Sequence, residues 1–127
     1  MDDQVLPLTL TFENRPGYLY AHAKAMHTNR ATAEYYLDQI AKKCAEVGCH
    51  RLMIFRDITQ HLEIASMFPV ASRLPTVLPG VKVAFVNPHT FNTRSLEFGR
   101  ELIAKTGAAI GLFDNADDAE AWLLEKD

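Results

Sequence analysis

A chain of 127 residues, 48% hydrophobic and 23% charged, is sized for one soluble domain spanning residues 1–127, because a second domain would lack residues for its own core. Its formal net charge of −3 argues against nucleic acid as the main partner, since phosphate binding needs a basic face. No stretch approaches the roughly 18 consecutive apolar residues of a membrane span, so no integral membrane segment is expected.

In chain order, Leu6, Leu8, Leu10 and Phe12 alternate with Thr9 and Thr11, the period of a half-buried strand. Pro7 has no backbone donor and confines that strand to an edge. The turn Glu13 to Gly17 leads into a second alternating strand, Tyr18 to Met26, so the pair reads as an antiparallel hairpin. Ala33, Tyr36, Leu37, Ile40, Cys44 and Val47 then recur at helical spacing, with Thr28 or Asn29 as N-cap and Gly48 as stop. Leu52 to Phe55 is apolar on both faces, as in a central parallel strand, and gives way to polar residues at Arg56 and Asp57. A helix from about Ser66 to Leu74 accommodates Pro69 in its first turn. Val81 to Val86 is the next strand, followed by a helix marked by Leu96, Gly99, Leu102 and Ile103. Ala108 to Phe113 is the last strand. The final helix opens at Asn115 with Asp117 and Asp118 in its positive first turn and turns Ala119, Trp122 and Leu123 inward. The order β-β-α-β-α-β-α-β-α predicts a single α/β domain with a mixed five-stranded sheet and about four helices.

The chemistry-bearing residues form no complete motif. Cys44, Cys49 and His50 lack the second ligand pair of a zinc site, and Cys44 on the apolar face of its helix reads as a small hydrophobe. No structural metal is expected. The two cysteines make no disulfide framework and the start MDDQ is unlike a secretory signal, so a reducing cytoplasm is the simplest compartment. Asp57, His61 and Ser66 have the residue types of a hydrolase triad, yet Ser66 has no flanking glycine and no nucleophile elbow. The strand-to-helix turns RDITQ, VNPHTFN and FDNAD hold no glycine, which removes the dinucleotide and P-loop fingerprints; no cofactor is expected. The turn containing Asn87, His89, Thr90, Asn92 and Arg94 is the best place for a small anion at a helix N-terminus, with simple capping by Asn92 or Thr93 as its plain alternative.

The element order, with the segments DITQHLEIAS, VKVAFVNP and FDNADDAEAWL, resembles the STAS superfamily of anti-sigma-factor antagonists and sulfate-transporter domains, from Leu6 to Leu124. The ending FDNADDAEAWL is most similar to its SpoIIAA-like branch. The resemblance implies a βα superhelix with strands in sequential order, the first antiparallel to the rest. It sets Asp57-Ile58-Thr59 against the family's Asp-Leu-Ser and Ser66 at the switch serine. Ala65 stands in place of the family's aspartate, and Met67-Phe68 in place of Ser-Gly. Ser66, with Thr59, is thus a switch or a helix cap, and a phosphate would suit a helix N-terminus. The implied surface lies at the C-terminal strand ends: Arg56, Asp57, His61, Asn87, His89, Arg94 and Asn115.

The function expected is a non-catalytic regulatory or protein-interaction domain, not an enzyme, with a kinase-like or anti-sigma-type protein as partner. A carrier of small lipids or anions is the alternative, motivated by Met67, Phe68 and Leu74; a hydrolase ranks below both. A homodimer is also expected, because the Leu52–Phe55 strand is apolar on both faces and its less-covered face calls for a partner, with Trp122 and its helix as the alternative cover.

Overall fold

A computed structural model describes residues 6–27, 30–58, 73–88, 101 and 109–125. Five strands form one sheet in the order β1-β2-β3-β4-β5: β1 (Thr9–Arg15), β2 (Tyr18–Ala25), β3 (Arg51–Ile58), β4 (Lys82–Val86) and β5 (Ile110–Phe113). β1 is antiparallel to β2, and every later pairing is parallel. Sequential order means that the sheet has no reversal point at which a ligand crevice of the doubly wound kind would open. Three described helices accompany the sheet: α1 (Arg30–Val47), the single turn α2 (Leu74–Val77) and α3 (Ala116–Leu123). No described helix is long and apolar enough to cross a membrane.

The first hairpin closes more tightly than the sequence suggests. Arg15 pairs with Tyr18, leaving Pro16 and Gly17 as a two-residue connection. Proline presets φ at the first central position, and Gly17 supplies the positive φ of 87° at the second, the residue choice of a type II turn. β1 therefore runs on through Glu13, Asn14 and Arg15, residues expected to lie in the turn. β3 likewise extends beyond its apolar run: Arg56, Asp57 and Ile58 continue the ladder against Ala23, Lys24 and Ala25.

The two faces of the sheet are covered differently. On one, Ala33, Tyr36, Leu37, Ile40 and Cys44 of α1 pack against Leu19, Ala21, Leu52, Ile54, Val83 and Phe85. On the other, Ala119 and Leu123 of α3 lie over Met53, Ala84 and Val86, with Trp122 against Phe113 at 5.5 Å between ring centroids. Asn115 caps α3 as expected, its Oδ1 accepting from the Asp118 N–H at 2.8 Å. Met53, on the α3 side of β3, is 0% exposed. α3 thus covers the Met53, Ala84 and Val86 part of that face.

One expectation is corrected. Cys44 and Cys49 are joined in a disulfide with their Cα atoms 5.1 Å apart. The cause is the way α1 ends. Gly48 adopts φ of 68°, and the Cys49 N–H donates to the Cys44 carbonyl at 3.0 Å, the 6→1 bond of a Schellman motif. That motif brings the side chains three residues before the cap and two after it together, and here both are cysteines. The argument for a reducing compartment from unpaired thiols falls with this bond.

Thr59, His61, Ser66, His89 and Arg94 lie outside the described residues. So do the N-cap at Thr28 or Asn29, the Ser66–Leu74 helix up to its last residue, and all of the helix after β4 except Glu101, which is helical.

Candidate functional site

Arg56 and Asp57 were expected to share one surface at the C-terminal strand ends. Because both lie within β3, the two-residue period of a strand sends them to opposite faces. They build two separate clusters.

Arg56 points to the α1 side and is 9% exposed. Its Nε donates to the Tyr36 hydroxyl at 2.8 Å, and its Nη1 donates to the Asn87 side-chain oxygen. Tyr36 is itself fully buried. A guanidinium in such surroundings is tolerated only when its donors are satisfied. Arg56 and Asn87 are thus brought together as predicted, but as a tie between β3, α1 and the end of β4. Arg56 is buried in this tie, and Asn87 is half-buried.

Asp57 points to the other face, toward the half of the sheet beyond the reach of α3. Its Oδ2 lies 3.3 Å from His22 Nε2, with the two side chains 29% and 31% exposed. Around this pair stand Phe55, at 5.2 Å from the His22 ring, and Tyr20, at 6.2 Å from both. The Arg15 guanidinium lies over the Tyr20 ring, 3.7 Å from its centroid, in cation–π contact. Burial pushes the Tyr20 hydroxyl above the usual phenol range. Together Arg15, Tyr20, His22, Phe55 and Asp57 make a half-exposed aromatic and charged patch at the β1–β2–β3 end of the sheet. Among the described residues no hydroxyl or thiol is hydrogen-bonded to the His22 ring.

Tyr36 was singled out only for its helical spacing, and His22 and Tyr20 were not among the candidate site residues. Their signal was present: Tyr18, Tyr20, His22 and Lys24 share one parity in β2, and Arg15, Phe55 and Asp57 fall on the same face once the register is known. Asn115 is committed to capping α3, where its Nδ2 also donates to Asp114 at 2.8 Å and to Asp118 at 3.0 Å. Met67 and Phe68, which motivate the carrier alternative, lie outside the described residues.

Next to Arg15, at the N-terminal ends of β2 and β3, a cleft of about 300 Å³ opens between the β1–β2 turn and the α1–β3 connection. Asn14, Tyr18, Cys49, His50 and Arg51 are among its walls. Among the described residues no three His, Cys, Asp or Glu side chains are grouped as metal ligands.

No protein-family model matches this sequence, and no curated protein matches it.

Proposed function

We propose that this chain is a non-catalytic regulatory domain of STAS type that acts by binding another protein. The observation that carries the reading is the sheet itself: five strands in sequential order with only β1 antiparallel, the arrangement that the resemblance in DITQHLEIAS, VKVAFVNP and FDNADDAEAWL implies. The fold argues for a class of protein and not for a partner. The patch of Arg15, Tyr20, His22, Phe55 and Asp57 combines the aromatic and arginine side chains that dominate protein interfaces, and the tied Arg56 beneath it holds the end of β3 in place. Ser66, with Thr59, is proposed to act as a helix cap.

The test is a photo-crosslinking amino acid placed at position 20 in the source cells. One protein should be trapped reproducibly, and Asp57→Arg should abolish the capture while leaving the melting temperature unchanged. Turnover of a metabolite library that disappears in His22→Ala or Asp57→Asn would show instead that the patch is an active site.

A further inference from the structure

The Cys44–Cys49 disulfide and the cleft beside it lie at the N-terminal ends of β2 and β3, where Arg15 of the aromatic patch donates to Tyr18 of the cleft wall. We propose that Cys49 is a site of covalent modification by a small anionic thiol of the glutathione class, seated in this cleft. The inference is independent of the regulatory reading above.

The two sulfurs differ in access. Cys44 is 2% exposed and belongs to the core under α1. Cys49 is half-buried and lines the cleft, whereas Cys44 does not. An attacking thiolate therefore meets Cys49. A volume of about 300 Å³ is at the lower end of the range for small-molecule sites and suits a tripeptide-sized ligand with part of it in solvent.

The charge around the cleft selects the thiol. Arg51 and His50 are in its wall, and no carboxylate is among the lining residues described. Lys82, opposite Arg51 in the β3–β4 register, is outside the cleft and donates to the Trp122 carbonyl at 2.8 Å, so Arg51 is the cation of the wall. Among the described residues no ion pair engages Arg51. Such a wall attracts the carboxylates of an anionic thiol and repels a cationic one.

The exchange balances without an added oxidant. The incoming thiolate sulfur bonds to the Cys49 Sγ, and the Cys44–Cys49 bond breaks with its electron pair going to Cys44. The released Cys44 sulfur takes the proton that the attacking thiol gave up to solvent. One disulfide and one thiol have become another disulfide and another thiol. The free Cys44 has a place for its proton, since its Sγ lies 3.4 Å from the Cys49 carbonyl oxygen in donating geometry. Burial and the carbonyl-bearing C-terminal end of α1 both disfavour a charged sulfur there. Cys44 is therefore slow to attack the mixed disulfide, and the adduct on Cys49 persists. The Schellman bond from the Cys49 N–H is a backbone contact, so the helix end keeps its shape in either state.

The experiment treats the oxidised protein with glutathione or with cysteamine, a cationic thiol, and follows the adduct by intact mass and peptide mapping. Each rate is divided by the same thiol's rate with lipoamide, a neutral cyclic disulfide, which removes intrinsic reactivity. Glutathione should be favoured by about threefold or more, the effect of one charge at several ångströms in water, with the adduct on Cys49. Arg51→Gln should reduce that preference, and high salt should reduce it in the unaltered protein. Equal normalised rates, an adduct on Cys44, a disulfide untouched by either thiol, or a purified protein with two free thiols would each overturn the proposal.

Discussion

Ile54 and Phe55 are neighbours on β3, yet they live in different proteins as far as solvent is concerned. Ile54 is 0% exposed among Leu19, Leu52, Val83 and Phe85 under α1, while Phe55 sits half-buried beside Tyr20 and His22. The same division runs through Arg56 and Asp57. On the closed face a charge is held by a tyrosine hydroxyl and an asparagine; on the open face a charge is left where another molecule can reach it. The lesson is that stability and recognition are sorted by strand parity, so adjacent residues at this end of β3 serve different purposes.

The largest expected effect breaks this comparison directly. Ile54→Ala removes a fully buried side chain and leaves a cavity, and should cost about 2–5 kcal/mol. Phe55→Ala, one residue on, should cost only about 1 kcal/mol, roughly half of what full burial of such a side chain contributes. Chemical denaturation of both variants measures the difference. Equal losses would mean that the open face is as tightly packed as the closed one, and the patch would lose its standing as a surface.

Next in size is the tie at Arg56. Tyr36→Phe keeps the ring in the core but deletes the acceptor of the Arg56 Nε hydrogen bond. Leaving a donor of a buried charged group without that acceptor should cost about 1–3 kcal/mol. A melting temperature unchanged by Tyr36→Phe would show that the bond does not anchor β3 to α1.

Much of this arrangement was legible in the sequence. The alternation in Tyr18 to Ala25, the helical recurrence of Ala33 to Cys44, the stop at Gly48 and the cap at Asn115 each rest on local chemistry, and each stands in the structure. What escaped was long-range or hidden by polarity. Glu13, Asn14 and Arg15 look like turn residues because an edge strand with a solvent face is polar; only the pairing with Tyr18 to Tyr20 shows them to be strand. Arg56 and Asp57 end an apolar run, so they read as loop, although a ladder needs backbone groups and not apolar side chains. The partnership of His22 with Asp57 joins residues 35 apart in the chain and depends on the β2–β3 register. The disulfide was nearer to hand: a helix stopped by Gly48 puts Cys44 and Cys49 at the two positions that a Schellman motif brings together.

The smallest predicted effect lies where the two regions meet. Tyr18 belongs to the α3-covered part of its face, and its hydroxyl donates to Glu120 Oε2 at 2.8 Å. Burial, with help from that carboxylate, which needs the phenol proton, pushes the Tyr18 hydroxyl above its ordinary value; the hydrogen bond from Arg15 pulls the other way and only in part offsets them. A folded-state value raised above the unfolded one means that the native chain holds its proton where the unfolded chain has released it. The stabilisation is then fully present below the unfolded value, near pH 10, and is lost as pH rises through the higher folded value. Tyr18→Phe has no proton to lose and should flatten this alkaline decline, while at neutral pH it costs the bond to Glu120 and the longer one from Arg15, together about 1 kcal/mol for part-buried bonds. Tyr20 is raised by burial in the same direction, so the double variant with Tyr20→Phe should be flatter still. Urea midpoints measured between pH 8 and pH 11 decide the matter: a decline as steep in Tyr18→Phe as in the parent would place the alkaline sensitivity elsewhere and detach the β1–β2 turn from α3 in this account.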